Sequence, residues 1–168
     1  MPSMPKPKLP ARLLTLLAAA ALITADQWLK RRMTGFLAEG PRELVPGFVG
    51  LRYTRNTGIS FSLFGESGAV MLVVSIVMAL VMLAGIVWLL LGKIGGAAPL
   101  GGAALILAGG MGNLVDRLLY GWVVDYIELL FVRFAIFNFA DICITCGVAL
   151  ITGWVIWLEV RQRKKARP

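Results

Sequence analysis

Four long apolar segments constrain this chain more than any other feature of its sequence. They lie at about residues 13–30, 69–91, 95–117 and 134–158. A helix needs about 20 apolar residues to cross the hydrocarbon core of a bilayer. Of the 168 residues, 58% are hydrophobic and only 15% are charged, a balance outside the range of ordinary soluble domains. The sequence therefore predicts a mainly α-helical membrane protein with four transmembrane helices, in which residues 1–168 form one domain.

The third segment differs from the others in its many small residues. Small residues allow helix backbones to approach closely in lipid. We therefore expect this segment to lie at the centre of the bundle. Its glycines are Gly95, Gly96, Gly101, Gly102, Gly109, Gly110 and Gly112.

The first segment has two interpretations. Lys6, Lys8 and Arg12 precede an apolar run, as in a cleaved secretory signal. However, charged residues follow the run at once, beginning with Asp26 and Lys30, and three further apolar segments come after them. We favour a retained first transmembrane helix.

The basic residues give a weak indication of orientation. Four spans place both termini on one side of the membrane, together with the loop around Lys93. That side carries nine of the 17 Lys and Arg residues. Because Lys and Arg are enriched in cytoplasmic loops, we predict cytoplasmic termini.

The segment between the first two spans has a strand-like pattern. Apolar and polar residues alternate over residues 49–54, the period of a half-buried strand, and alternation resumes at Ile59, Phe61 and Leu63. A four-residue turn that contains Gly58 separates the two runs, which is typical of a hairpin. We predict a small β-hairpin or sheet within about residues 43–65, outside the cytoplasm. Its edge could bind an extended peptide, or the hairpin could only cap the bundle.

Four acids stand inside or at the ends of the apolar segments: Asp26, Asp116, Asp125 and Asp141. A carboxylate at the centre of a span costs about 3 kcal/mol to insert, so such residues indicate function by default. Other polar residues accompany them. These are Lys30, Asn56, Asn113, Arg117 and Asn138.

Some of these residues also have structural explanations. Asn113, Asp116 and Arg117 share one helix face, where Asp116 and Arg117 could neutralise each other. Asn138 followed by Asp141 has the spacing of an N-cap with an acid at the third helical position.

Asp125 has no basic residue close in sequence. If Asp125 and Asp141 face each other in a medium of low dielectric, they cannot both ionise, and the pair keeps one proton. One member can then act as a base toward water and the other as an acid. This chemistry needs no histidine, and the chain has none. Cys143 and Cys146 are interpreted as small residues on a helix face, in preference to a redox or metal site.

Five motifs, in this order, resemble those of the prolipoprotein signal peptidases, also called signal peptidase II, an aspartic peptidase family. They cover nearly the whole chain between its tails. They read DQWLK from Asp26, NTGISF from Asn56, GGMGNLVDR from Gly109, VVDY from Val123 and FNFAD from Phe137.

The resemblance implies an aspartic endopeptidase of the bacterial inner membrane that cuts prolipoproteins just before a lipid-modified cysteine. It implies that Asp125 and Asp141 are the catalytic residues, near the extracytoplasmic face, with Asp116 as the rival for one of them. Other motif positions are expected to shape the site or hold the substrate: Asp26, Lys30, Asn56, Gly109, Asn113, Asp116, Arg117, Asn138 and Ala140. The expected partners are lipid-modified prolipoproteins and membrane phospholipid, with no cofactor, metal, nucleic acid or obligatory protein partner.

Three other functions fit parts of the pattern. Intramembrane acids also form proton relays and ion sites in small transporters. Ser60 or Ser62 with Lys30 could form a serine hydrolase site. A purely structural membrane subunit would leave the four acids unexplained.

Overall fold

The computed structural model describes residues 8–57, 68–92 and 94–165. This part of the chain contains four helices that are long and apolar enough to cross a membrane, as predicted. They are α1 (Leu9–Phe36), α2 (Gly68–Leu90), α3 (Ala97–Tyr120) and α4 (Phe139–Lys165).

Helix α3 lies at the centre of the bundle, as its glycines predict. It contacts each of the other three helices and is the most buried of the four. At Gly109, an added Cβ atom would collide with the backbone oxygen of Ala140 on α4. Gly102 and Gly147 make a second such approach between the same two helices. Glycine therefore allows α3 and α4 to pack backbone against backbone.

Helix α4 begins at Phe139, five residues later than the apolar segment suggests. The backbone N–H of Asp141 donates to Asn138 Oδ1 at 3.0 Å, and the N–H of Asn138 donates to Asp141 Oδ2 at 3.1 Å. These reciprocal bonds form a capping box, which satisfies two N–H groups at the start of a helix. The predicted N-cap is confirmed, and it fixes Asp141 in the first turn of α4.

A three-stranded antiparallel sheet packs at one end of the bundle. Its strands are β1 (Arg42–Val45), β2 (Val49–Asn56) and β3 (Val123–Leu129), in the order β1-β2-β3. The predicted strand at residues 49–54 is confirmed within β2, whereas the run from Ile59 lies outside the described residues.

The sequence pattern does not predict strand β3. The sheet was expected to lie wholly between the first two helices, but one of its strands comes from the segment between α3 and α4. Gly121 ends α3 in the left-handed conformation with φ of 80°, and its N–H donates to the Arg117 carbonyl at 3.1 Å. The chain then enters β3, in which Asp125 pairs with Thr54 of β2. Asp125 is therefore positioned by a glycine turn and by the register of a strand. It does not lie in a transmembrane helix or at the end of one.

Candidate active site

Asp125 lies on β3 and is almost completely buried, with 1% of its surface exposed. Asn138 Nδ2 donates to its Oδ1 at 2.6 Å, and Asn56 Nδ2 donates to its Oδ2 at 2.8 Å. Both carboxyl oxygens therefore have an amide donor, although no cation pairs with this acid within the described part of the chain.

Asp141 lies beside it in the first turn of α4 and is half-buried. Asn113 Nδ2 donates to Oδ1 at 2.8 Å, and the backbone N–H of Asn138 donates to Oδ2. Asn138, which has no exposed surface, thus contacts both acids, Asp125 through its side chain and Asp141 through its backbone. The structure brings together the two acids that the sequence singles out.

Burial raises the pKa of Asp125 to about 6. The hydrogen bonds from Asn56 and Asn138 oppose this shift because they stabilise the ionised form, while the nearby charge of Asp141 adds to it. Asp125 is therefore suited to hold a proton at a pH where an ordinary carboxyl is ionised.

This raised pKa predicts a pH-dependent effect of Asp125→Asn on stability. The ordinary pKa is about 3.9, so the cost of burying Asp125 is small below pH 4 and grows until the pH exceeds about 6. Asparagine does not titrate. We expect the melting temperature of the variant, relative to the parent, to rise between pH 4 and pH 7.5, by an amount that corresponds to at most about 3 kcal/mol.

The control for that measurement is Glu39→Gln, because Glu39 is an exposed acid paired with Arg42. Its melting temperature relative to the parent should change little over the same range. A relative melting temperature of Asp125→Asn that does not vary with pH would contradict the assignment of the shift to Asp125.

A buried ionic layer lies behind the two acids. Lys30 Nζ contacts Asp26 Oδ2 at 2.9 Å, Asp116 Oδ2 at 3.0 Å and Asn113 Oδ1 at 3.0 Å. An ammonium group has three donors, so this lysine is fully satisfied. Asn113 also donates to Asp141, so its side-chain amide connects the ionic layer to the pair of acids Asp125 and Asp141.

The predicted neutralisation of Asp116 by Arg117 is wrong. Asp116 pairs with Lys30 of α1, and Arg117 NH1 donates to the Asn113 carbonyl at 3.3 Å and lies 3.4 Å from Met78 Sδ. Consecutive residues of a helix point about 100° apart, so these two side chains face different neighbours.

The remaining motif positions bring the helices together near the acids. The N–H of Ala140 donates to Asp26 Oδ1 at 3.1 Å, and Ala140 itself is fully buried. Gly109 allows α4 to approach at this point, and an added Cβ at Gly112 would meet the Asp26 carboxylate. Ser60 and Ser62, the nucleophiles of the alternative hydrolase, lie outside the described residues.

Sequence reasoning missed Gln27. Its Nε2 donates to Asp116 Oδ1 at 2.9 Å and to the Gly112 carbonyl at 3.1 Å, which joins α1 to α3. The sequence did contain a signal for it, because Gln27 is a polar amide that lies between Asp26 and Lys30 in an apolar segment. Asp116 therefore has Gln27 on one oxygen and both Lys30 and the Val124 N–H, at 3.0 Å, on the other.

The sequence matches a known protein family over most of its length. The family model described as "Signal peptidase (SPase) II" matches residues 18–157. A protein of Mesorhizobium japonicum named "Lipoprotein signal peptidase" is 40% identical over 149 residues, which cover 82% of this chain and 85% of the relative. A protein of Enterococcus faecalis with the same name is 34% identical and covers 90% of this chain and 92% of its own length.

Two solved structures share the fold. Both are described as bacterial membrane enzymes, determined by the in meso method at 2.3 Å and 1.9 Å resolution. The first has a TM-score of 0.75 at 24% identity and covers 99% of this chain and 98% of its own. The second has a TM-score of 0.68 at 26% identity and covers 84% and 92%.

Proposed function

This chain belongs to the signal peptidase II family, and from that premise we propose that it cleaves prolipoproteins by an aspartic mechanism in which Asp125 and Asp141 act as a pair. The chain is a multi-pass membrane peptidase that removes the signal peptides of prolipoproteins. The observation that carries the mechanism is that one residue, Asn138, contacts both carboxyl groups.

The environments of the two acids suggest which of them holds the proton and which acts as the general base. Asp125 is buried on a strand, and burial raises its pKa, so it holds a proton more readily than an ordinary carboxyl group. Asp141 receives two N–H donors and lies in the first turn of α4, where the helix dipole favours a negative charge. We assign the shared proton to Asp125 and the role of general base to Asp141.

The reaction then follows from ordinary acid–base chemistry. Asp141 accepts a proton from a water molecule as its oxygen attacks the peptide carbonyl carbon, and Asp125 donates its proton to the carbonyl oxygen. The tetrahedral intermediate collapses when Asp141 gives the proton it took from water to the amide nitrogen and Asp125 takes a proton back from a hydroxyl group of the intermediate. The C–N bond then breaks to give a carboxyl group and an amine, and both acids regain their starting protonation states. A bound peptide displaces water around the pair, which further favours the protonated form of Asp125.

Asp116 fits a supporting role better than a catalytic one. Both of its oxygens are engaged, by Lys30, Gln27 and the backbone N–H of Val124. Its Oδ2 already accepts from an ammonium group and a backbone N–H, which use both lone pairs of that oxygen and leave none to hold a water molecule.

The location of the acids in the membrane suggests the substrate geometry. Asp116 lies near the last turn of α3 and Asp141 in the first turn of α4, both at the end of the bundle that carries the sheet. Acids of a transport pathway are expected near the midplane instead. We propose that this end faces away from the cytoplasm and that cleavage occurs before a cysteine whose lipid chains stay in the bilayer.

The proposal predicts which peptides are cut. We expect the purified protein to cleave a peptide with a diacylglyceryl-modified cysteine immediately before that residue, as identified from the product masses. The same peptide without the lipid is the control and should remain intact, and a metal chelator should not change the rate. Inhibition by the chelator would indicate a metal mechanism, and proton or solute movement in proteoliposomes without cleavage would favour transport.

A further inference from the structure

A cavity of about 300 Å³ lies on the face of β3 opposite to Asp125. Val124 lines the cavity, and successive side chains of a strand point to opposite faces of the sheet. The cavity is bounded by the ends of α1 and α3 nearest the sheet. Its lining residues are Gln27, Lys30, Arg31, Thr34, Tyr53, Asp116, Tyr120, Trp122 and Val124.

The cavity is separate from the proposed catalytic pair. Lys30 and Asp116 form its inner wall and bind each other at 3.0 Å. Among the described residues that line the cavity, Asp116 is the only carboxylate, and protein donors already engage both of its oxygens. The inner wall therefore offers a satisfied ion pair, and any charged ligand must interact with the outer residues.

Two residues that line the cavity, Arg31 and Trp122, carry polar groups without partners within the described ranges, but only Arg31 is exposed. Trp122 Nε1 is buried and has no acceptor there. Arg31 is exposed and forms no ion pair with any residue that the structure describes. A second guanidinium group lies next to the cavity wall, because Arg55 stacks over the Trp122 ring at 4.7 Å and its Nε donates to the Tyr53 hydroxyl at 3.3 Å. The two guanidinium groups are exposed donors and give this part of the cavity a net positive charge.

The level of the cavity in the membrane suggests the source of an anion. Tyr120 and Trp122 lie together at the end of α3 near the sheet, with ring centroids 6.1 Å apart, and such aromatic residues are enriched where bilayer meets water. Leu118 and Leu119, one turn or less before Tyr120, are 69% and 62% exposed. Lipid chains can therefore cover the helices directly below the cavity, and we infer that phospholipid phosphates reach the level of its donors.

We propose that this cavity binds the headgroup of a membrane phospholipid. The phosphate accepts from Arg31, and the Arg55 guanidinium, which stacks over the Trp122 ring, adds positive charge. Basic pockets between transmembrane helices bind lipid headgroups by the same physics. The cavity has room for a headgroup, and the acyl chains extend over Leu118 and Leu119.

Native mass spectrometry of the full-length protein in detergent, titrated with phosphatidylglycerol, tests this site. We expect one lipid to bind more tightly than the rest, and Arg31→Gln to weaken that binding about tenfold or more because it removes a charged donor. Trp122→Phe keeps the ring that carries Arg55 and removes only a buried N–H, so it should change lipid binding little. Arg32→Gln is the matched control, because Arg32 is the neighbouring exposed cation and lies over Trp28 outside the cavity.

Two further ligands separate the possible sources of the anion. Diacylglycerol with the same acyl chains lacks the phosphate and should not fill the site. Inorganic phosphate at millimolar concentration should not displace the lipid, because it lacks the apolar contacts. Three results would each overturn the proposal. They are an equal loss of lipid affinity in Arg31→Gln and Arg32→Gln, tight binding of diacylglycerol, and displacement of the lipid by inorganic phosphate.

Discussion

Asp125→Asn and Asp141→Asn are each expected to reduce the cleavage rate of a lipidated substrate by about a thousandfold or more. Each change removes one of the two groups that move protons in the proposed reaction, and general acid–base catalysis by one side chain contributes about a hundred- to ten-thousandfold. The pair acts as a unit, so we expect the double variant to be little worse than either single variant. The measurement is the initial rate of product formation, followed by mass.

These variants need a test that they still fold, because asparagine changes the hydrogen bonds of a buried site. At Asp125, an asparagine amide group must face either Asn56 or Asn138, both of which donate to the present carboxylate. Each variant should therefore be compared with the parent by gel filtration and by melting temperature. Glu39→Gln, an exposed acid on the sheet side of α1, is the control and should keep full activity. Full activity in either aspartate variant would remove the pair from the mechanism.

Lys30→Met is expected to destabilise the protein by about 3–5 kcal/mol. It leaves the buried carboxylates of Asp26 and Asp116 without the cation that both now contact. Removing one partner of a buried ion pair has a cost of this size because the remaining charge is neither solvated nor paired. The result to be measured is a large fall in melting temperature in detergent or a loss of folded protein on purification.

Two comparisons make that prediction specific. Arg32→Met removes an exposed cation two residues along the same helix and should change the melting temperature little. Adding Asp26→Asn and Asp116→Asn to Lys30→Met should recover much of the lost stability, since no buried charge then remains unpaired. A melting temperature of Lys30→Met equal to that of the parent would show that the ionic layer does not hold α1 against α3.

Local sequence patterns were sufficient for the helices and for part of the sheet. The apolar segments predicted four spans because a bilayer demands length and apolarity, which are properties of a contiguous stretch. The spacing of Asn138 and Asp141 likewise predicted a helix start, since a capping box involves residues three apart. Strand β3 was missed because a buried acid, Asp125, interrupts its apolar face.

The set of site residues was predicted from sequence motifs, but their partners were not. Lys30 and Asn113 are 83 residues apart, and the backbone N–H of Ala140 meets Asp26 across 114 residues. No local pattern encodes such contacts. The spacing of Asp116 and Arg117 even suggested the wrong ion pair, because the helix alone does not reveal that Lys30 of α1 lies opposite Asp116.

The sequence by itself thus determined that this chain spans a membrane four times and which polar side chains it carries into that environment. Only the tertiary structure decided which of them meet. The glycines of α3 set how closely α1 and α4 approach it, and the turn at Gly121 sets where β3 delivers Asp125. Buried charges must find partners at those contacts, because lipid and protein interior offer no water to replace them.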